Sequence, residues 1–320
     1  MGTRSRDPRV LLDAASAGDR GALARLLSMI ERGGDDARTV GRLSSAKGGT
    51  TYTVGLTGAP GAGKSTLTSA TISLLRSRGV EVAVLAIDPS SPFSGGAILG
   101  DRVRMQEHAT DPGVFIRSMA TRGHLGGLSL ATPEAIRLLD AIGQKWVLVE
   151  TVGVGQVEVE VAGKADTTVV VVNPGWGDSV QANKAGLMEI ADVFVINKAD
   201  RAGVEETRRD LEQMLDLSDH TADGWRPPIL TAVASDGKGV EELWAAVESH
   251  REAITASGEL ERRRAFRLRE ELREIVARRL EARARALCTG ERWEELQAGV
   301  AAHTTDPWTA ADEMLGGIGA

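Results

Sequence analysis

The fold of this chain follows from one stretch, Gly58-Ala59-Pro60-Gly61-Ala62-Gly63-Lys64-Ser65-Thr66. It fits the phosphate-loop pattern G-x-x-x-x-G-K-[ST], in which glycines let backbone N–H groups surround phosphate oxygens. Residues 51–57 before it, Thr-Tyr-Thr-Val-Gly-Leu-Thr, predict a buried strand, and residues 67–76 after it have helical spacing. The N-terminus of that helix adds a partial positive charge. We therefore expect a nucleotide site in which Lys64 contacts the β- and γ-phosphates and Ser65 holds Mg²⁺.

Outward from this stretch, short apolar segments alternate with helical patterns. Such alternation predicts right-handed crossovers and a mainly parallel sheet covered on both faces, which is an α/β fold. Functional sites of these folds gather beyond the carboxyl ends of the strands. With residues 51–57 counted first, we predict seven strands, the others being Glu81–Ile87, Val114–Ser118, Trp146–Glu150, Thr167–Val172, Val193–Asn197 and Ile229–Val233.

The tetrapeptide Asn197-Lys198-Ala199-Asp200 follows the sixth predicted strand. It fits N-K-x-D, the motif with which P-loop GTPases recognise guanine. A carboxylate at Asp200 can accept hydrogen bonds from guanine N1–H and from the exocyclic amine, and adenine offers no such donor pair. The sequence therefore predicts GTP and GDP as ligands, and the alternative is that Asp200 only caps a helix.

A second candidate base-binding segment, Val233-Ala234-Ser235, follows the last predicted strand. With Gly237 and Gly239 after it, the segment is similar to the S-A-x loop of GTPases, whose backbone N–H contacts the guanine oxygen. We expect the N–H of Ala234 to make this contact. Val233 stands where serine is usual, so the side-chain support of the loop is left open.

Three carboxylates near two strand ends are candidates for Mg²⁺ binding and hydrolysis. Glu150-Thr151-Val152-Gly153 ends the fourth strand, where many GTPases have D-x-x-G, and Glu150 can hold a Mg²⁺-bound water. Asp88 ends the second strand, and Asp101 lies in the glycine-rich segment that follows it. An ordinary turn or capping role is the alternative for Asp101.

The residue that orients the attacking water is not evident. Ras-like proteins place a glutamine directly after the glycine of D-x-x-G, whereas Val154 stands there in this chain. Gln156 is the nearest side-chain amide. The sequence therefore predicts slow hydrolysis by the protein alone, with Gln156 as a candidate catalytic residue.

The segments outside the nucleotide-binding region have helical patterns. We predict a helical N-terminal extension (1–45), a P-loop GTPase domain (46–255) and a C-terminal helical arm (256–320). In the extension we expect two short helices, the second capped by Asp19, and then a connecting segment with at most one helical turn. The arm has an apolar seam between Phe266 and Leu287, which fits either packing on its own GTPase domain or a homodimer contact.

Composition restricts the class of protein. The net charge is −7, from 45 acidic and 38 basic residues, and glutamates interleave the arginines of the arm, so we expect no nucleic-acid partner. The single cysteine, Cys288, excludes an internal disulfide and a multi-cysteine metal site and indicates a reducing compartment. No apolar run approaches the length of a membrane span. We expect a cytoplasmic protein without membrane contact.

Several longer stretches resemble one family, the methylmalonyl-CoA mutase-associated GTPases of the MeaB/ArgK group. The resemblance covers roughly residues 10–320. It implies a homodimeric G-protein chaperone that gates the loading of adenosylcobalamin into a B12-dependent acyl-CoA mutase, of the methylmalonyl-CoA mutase type, and protects that mutase. The matching stretches are Asp88–Ser91, Gly95–Met105, Arg117–Ser118, Arg122–Gly127, Glu150–Gln156, Pro174–Gly186 and Asn197–Asp200.

The resemblance also assigns roles by position. Asp88, Asp101 and Glu150 match the magnesium and hydrolysis region of the family. Gln181 and Lys184 match its third switch, a loop that senses the mutase. Without the resemblance, residues 175–184 would be interpreted as a surface loop that opens a helix.

Two other functions stay open at this point. Older naming in the group suggests a protein kinase or ATPase linked to basic amino-acid transport, and phosphate transfer to a protein would distinguish it. A metallochaperone GTPase for nickel enzymes shares the P-loop class. The five histidines are scattered, however, and Cys288 is distant in sequence from the nucleotide motifs, which disfavours metal delivery.

Overall fold

The computed structural model describes residues 5–88, 105–120, 127–151, 164–176, 189–217 and 224–316. Four predicted functional residues, Asp101, Gln156, Gln181 and Lys184, lie outside these ranges, as does the side chain of Asp88. The chain divides into two compact units. The first ends at Arg264 and the second begins at Ala265.

A seven-stranded sheet forms the centre of the first unit. Its strands follow the spatial order β3-β2-β4-β1-β5-β6-β7, and each pairing within the described ranges is parallel. The seven predicted strands and the α/β class are therefore confirmed. The strands are β1 Tyr52–Gly58, β2 Val82–Asp88, β3 Val114–Ala120, β4 Trp146–Thr151, β5 Thr167–Val172, β6 Val193–Asn197 and β7 Ile229–Ala232.

Helices cover the sheet and form the C-terminal part of the chain. In the first unit they are α1 Pro8–Ser16, α2 Arg20–Arg32, α3 Gly34–Ser45, α4 Lys64–Ser77, α5 Gly127–Ala141, α6 Val204–Leu217 and α7 Val240–Ala256. The long helix α8 Glu259–Leu287 crosses the boundary between the units, and the second unit continues with α9 Glu291–Ala301 and α10 Pro307–Leu315.

The five inner strands are buried on both faces, whereas the edge strands β3 and β7 are only partly buried. On one face, Val82 and Val84 join a core with side chains of α4 and α7. On the other face, Ala83 and Leu85 pack with side chains of α1, α2 and α5. The sheet therefore lies between two helical layers. The loops at its carboxyl edge begin from these packed strands.

The N-terminal region contains one helix more than predicted. Asp19 caps α2 as expected, accepting from the N–H groups of Gly21 and Ala22. The segment interpreted as a connection instead forms the 12-residue helix α3. Ala37 and Val40 of this helix are buried, and Val40 joins the core to which α1, α2 and α5 contribute. Burial of these residues outweighs the low helix propensity of the glycine-rich composition.

Helix α4, which follows the phosphate loop, is fixed to the segment before β3. Arg76, in its last turn, donates to Asp111 over 2.9 Å. This hydrogen bond, helped by one from the N–H of Gly113, lowers the pKa of the Asp111 carboxyl below its usual value. The helix is thus held at its C-terminal end, while its first residues lie at the phosphate loop.

Two aspartates at the amino ends of the strands bind the beginning of α8. Asp166 pairs with Arg264 at 2.7 Å and accepts from the N–H of Thr53, at the start of β1. Asp192 pairs with Arg263 at 2.9 Å and accepts from the N–H of Thr168, in β5. Both carboxylates are almost fully buried, so loss of either arginine would remove one charged partner from a buried carboxylate.

The predicted charged helix of the arm is confirmed as α8. Ion pairs with i,i+3 and i,i+4 spacing run along it, such as Arg273 with Glu270 and Arg278 with Glu274. Its apolar seam is between 49% and 62% exposed at Phe266, Leu268, Leu272, Val276 and Leu280. Neither α8 nor any other helix in the described ranges combines the length and apolarity needed to cross a membrane.

Candidate nucleotide site

The phosphate loop leaves the sheet at its centre, because β1 lies between β4 and β5. Gly58, the last residue of β1, has φ 133°, a conformation that favours glycine. A Cβ at this position would lie 2.0 Å from the carbonyl oxygen of Val171 on β5. Any side chain there would push the loop away from the sheet, so this glycine sets the path of the backbone toward the phosphates.

A second glycine brings the loop against the base-recognition motif. Gly63 precedes α4 in a left-handed conformation with φ 91°, and it makes no side-chain capping bond. A Cβ there would lie 2.4 Å from Nδ2 of Asn197. The absence of a side chain thus lets the phosphate loop and Asn197 meet. Glycine also has no side chain with which to cap the first N–H groups of α4. Phosphate oxygens can approach these N–H groups instead.

Lys64 is already directed into the phosphate loop. Its side chain is buried, and Nζ donates to the carbonyl oxygens of Gly58 (2.9 Å) and Ala59 (3.0 Å). These contacts hold the ammonium inside the curve of the loop. The positive charge is therefore in place before an anionic ligand arrives, which lowers the ordering cost of binding.

Ser65 and Glu150, both predicted as Mg²⁺ ligands, lie together. The Ser65 hydroxyl donates to Oε1 of Glu150 over 2.5 Å, and Glu150 is fully buried at the end of β4. Within the described ranges, no cluster of three or more histidine, cysteine or acidic residues could hold a metal ion. Mg²⁺ usually takes one or two protein oxygens and completes its shell with water and phosphate. A hydroxyl and a carboxylate beside a phosphate loop fit that requirement.

Asn197 joins the phosphate loop to the base-binding segment. Its Nδ2 donates to the carbonyl oxygen of Ala62 over 2.8 Å, and its Oδ1 accepts from the N–H of Ala234 at 3.1 Å. The side chain is almost fully buried at the end of β6. One side chain therefore sets the spacing between the residues predicted to contact phosphate and those predicted to contact the base.

The remainder of the N-K-x-D motif faces the same site. Lys198 has a positive φ of 59°, and its Nζ donates to the carbonyl oxygen of Gly61 over 2.6 Å. Asp200 is exposed and makes no hydrogen bond or ion pair with another described residue. Its alternative role as a helix cap is wrong, because α6 begins only at Val204. The carboxylate is thus accessible to a base.

Backbone contacts support the loop after β7 despite valine at position 233. The N–H of Val233 donates to the carbonyl oxygen of Lys238 over 3.0 Å in an isolated antiparallel bridge. Between them, residues 234–236 form a tight turn that Gly237 closes in a left-handed conformation. The N–H of Ala234, expected to face the base, is directed instead at Asn197. The hydroxyl of Ser235 donates to Asp236.

The described part of the site thus contains the phosphate loop, Ser65 with Glu150, and the two base-binding segments. Sequence reasoning missed the carbonyl oxygens of Gly61 and Ala62 as partners of Lys198 and Asn197. No sequence signal could have found them, because every residue carries a backbone carbonyl. The backbone of Asp88 ends β2, beside β4, and its predicted role stays a prediction.

Comparisons with known proteins agree with this geometry. The family profile described as methylmalonyl-CoA mutase-associated GTPase MeaB matches residues 23–289. A Pyrococcus abyssi protein provisionally named as a GTPase is 50% identical over 307 residues, 95% of each chain. The GTPase ArgK of Escherichia coli is 45% identical over 216 residues, which are 67% of this chain and 65% of that protein.

Two further comparisons concern a mammalian protein and a solved structure. The mouse protein named methylmalonic aciduria type A homolog, mitochondrial (Mus musculus), is 41% identical over 217 residues, which are 67% of this chain and 52% of its own. The crystal structure of a protein named LAO/AO transport system kinase superposes with a TM-score of 0.72 at 27% identity and covers 100% of both chains.

Proposed function

We propose, because this chain belongs to the MeaB family of methylmalonyl-CoA mutase-associated GTPases, that it hydrolyses GTP in order to control a B12-dependent acyl-CoA mutase. In this role it is a G-protein chaperone. It gates the loading of adenosylcobalamin into the mutase and protects the loaded enzyme from inactivation. The substrate of the mutase is of the methylmalonyl-CoA type.

One observation carries the guanine assignment. Asn197 binds Ala62 of the phosphate loop and Ala234 of the second base-binding segment, and the exposed carboxylate of Asp200 lies three residues further along the chain. A nucleotide with its phosphates on the loop therefore has its base beside these segments. The carboxylate can pair with guanine N1–H and the exocyclic amine, which adenine cannot match.

In the proposed reaction, water attacks the γ-phosphorus of GTP, the bond to the β-phosphate oxygen breaks, and GDP and phosphate leave. Lys64 and the N–H groups at the start of α4 stabilise the negative charge on the phosphate oxygens. Ser65 and Glu150 would hold Mg²⁺, which neutralises charge on the phosphates when it is bound. Asp88, Asp101 and Gln156 remain proposed members of the hydrolysis region.

The mutase assignment is supported by the description of the family and by the name of the mouse relative. Because valine follows Gly153 where Ras-like GTPases have glutamine, we expect slow hydrolysis by the purified protein. A mutase that orders the missing group should accelerate it. Activation in trans reaches about 10³–10⁵-fold in well-known GTPases, so a small part of that range is measurable.

The test measures phosphate release with and without the mutase purified from the same cell. We expect stimulation for the unaltered chain and none for the double variant Gln181→Ala with Lys184→Ala, because coupling requires contacts that differ between two states. GDP affinity should stay near its original value in the double variant. Absence of stimulation for the unaltered chain would contradict the mutase assignment. Full stimulation of the double variant would mean that residues other than Gln181 and Lys184 sense the mutase.

A second candidate function is supported by the name of the superposed protein, a transport system kinase. A kinase would transfer the γ-phosphoryl group to a protein side chain instead of to water. The same assay with γ-³²P-GTP distinguishes the two, since label would stay on protein for a kinase and appear as free phosphate for a GTPase. Nickel delivery remains disfavoured by the scattered histidines.

We also propose a homodimer that forms through the exposed seam of α8. The full chain should have twice the mass of 33.8 kDa in light scattering. Truncation after Arg264 should give a monomer, and it retains the two arginines that pair with Asp166 and Asp192. Leu272→Arg in the full chain should have the same effect, because it places a charge in the apolar contact.

The matched control is Leu217→Arg, which makes the same change at a leucine of α6 that is 88% exposed. This variant should remain dimeric. If the truncated chain were dimeric, the contact would lie in residues 1–264. If Leu217→Arg also gave monomers, the effect of Leu272→Arg would not be specific to the seam.

A further inference from the structure

A buried histidine joins the segment before β3 to the helix that follows the phosphate loop. Nε2 of His108 lies 2.9 Å from Oγ and 3.1 Å from the carbonyl oxygen of Ser69, in α4. The Ser69 hydroxyl donates its proton to Oε1 of Glu107. Both Ser69 oxygens are therefore acceptors toward the ring, so Nε2 of His108 carries a proton and donates to them.

This link lies on the face of α4 that leads to the candidate magnesium site. Ser65, Ser69 and Arg76 follow one another at intervals of four and seven residues, which place side chains on one face of a helix. On this face Arg76 binds Asp111, and Ser69 binds His108. The chain thus runs along α4, from its last turn toward Ser65, as the residue number falls.

Much of the segment that carries the histidine is exposed. Glu107, Ala109 and Thr110 face solvent, whereas Met105 is buried in the core to which α4 contributes. Asp101, a proposed member of the hydrolysis region, lies outside the described residues and precedes Met105 by four positions in the sequence. The covalent chain keeps these two residues within about 14 Å of each other. The position of the segment therefore limits where the Asp101 carboxylate can lie.

We propose that His108 is a positioning residue for GTP hydrolysis. Through Ser69 it holds the chain that leads to Asp101 in place on the phosphate-loop helix. The proposal rests on the GTPase function proposed above and adds a residue outside the nucleotide motifs. Loss of the ring should displace the hydrolysis region and slow the chemical step. Nucleotide affinity should change little, because Lys64 and Asp200 are untouched.

Single-turnover hydrolysis of GTP by the full chain tests this role. His108→Ala should lower the rate constant roughly tenfold, since displacement of a reacting group by about 1 Å can cost as much as 100-fold. GDP affinity should stay near its original value. His108→Gln, whose amide can also donate to Ser69, should recover most of the rate. Equal rates for the unaltered chain and His108→Ala would overturn the proposal.

The double variant with Ser69→Ala tests whether His108 acts through Ser69. Both changes break the same link, so their effects on the rate should not multiply. The double variant should hydrolyse GTP as fast as His108→Ala alone. Effects that multiplied would mean that the two residues act independently, and this result would overturn the proposed path through Ser69.

The pH profile of the rate separates positioning from proton transfer. Nε2 of His108 carries a proton in the neutral ring and in the protonated ring, so the donor to Ser69 is present from about pH 6 to about pH 8. The profile should therefore have the same shape for the unaltered chain and for His108→Gln. If His108 accepted a proton from the attacking water, the glutamine variant would lose one limb of the profile, and the positioning role would be wrong.

His250→Ala is the matched control. His250 is also buried, and its contacts with Thr167 and Asp192 lie at the amino ends of β5 and β6, the sheet edge opposite to the nucleotide site. This variant should lose thermal stability but keep its hydrolysis rate at temperatures well below unfolding. If the unaltered chain hydrolysed no GTP, the proposed function itself would fail. If it hydrolysed GTP and His108→Ala were no slower than His250→Ala, only the present assignment would fail.

Discussion

Lys64→Ala is expected to abolish tight binding of GDP and GTP. The ammonium is buried inside the phosphate loop and held by two of its carbonyl oxygens, in the position from which it can contact the phosphates. Each hydrogen bond to a charged group contributes about 1.5–3 kcal/mol. Loss of two such contacts should therefore weaken binding about 10³-fold. Calorimetry with Mg²⁺ and a non-hydrolysable GTP analogue, which carries both the β- and the γ-phosphate, measures the change directly.

The control for this variant is Lys47→Ala. Lys47 is an exposed lysine that pairs with Asp13 at 3.7 Å, outside the nucleotide site. The Lys47→Ala variant should bind the same nucleotide with the original affinity. If Lys64→Ala also retained that affinity while its thermal unfolding stayed normal, the phosphate loop would not be the nucleotide site.

Asp200→Asn is expected to change the base preference from guanine to xanthine. The amide can donate to the additional oxygen of xanthine, but it cannot accept two hydrogen bonds from guanine as the carboxylate does. Losing the charge-assisted pair should cost about 3 kcal/mol, or roughly 100-fold in GDP affinity. Competition binding with GDP, XDP and ADP measures the change, and the unaltered protein should bind ADP only weakly.

Asp210→Asn makes the same chemical change on α6 and should leave the order of base preference unaltered. Comparable affinity of the unaltered chain for GDP and ADP would remove the base-recognition role from the N-K-x-D motif. If the Asp200→Asn variant still preferred GDP, a residue other than Asp200 would recognise the base.

The sequence predicted best those parts of the fold in which a local pattern is compatible with a single local structure. The sheet strands are short, mainly apolar segments, the five inner ones buried on both faces, and all seven were predicted. The phosphate loop requires glycine at specific turns, and Gly58 and Gly63 indeed face contacts that exclude a Cβ. The meeting of Ser65 with Glu150 follows from the adjacency of β1 and β4, whose carboxyl ends lie at the same edge.

The parts that sequence could not predict depend on tertiary contacts. Helix α3 has a weak local signal and is stabilised by burial of Val40 in a core shared with α1 and α2, which precede it, and with α5, which is distant in sequence. The acceptor for the N–H of Ala234 depends on which way the amide of Asn197 points. That direction is fixed by a carbonyl oxygen of the phosphate loop, which no residue type reveals.

The double contact of Asn197 has a consequence for the lifetime of the bound nucleotide. Because one side chain ties the loop that surrounds the phosphates to the turn beside the base, neither can open without straining the other. Departure of GDP would then be a single concerted event, slow in the isolated protein. A partner that displaced this one amide would loosen both ends of the nucleotide at once.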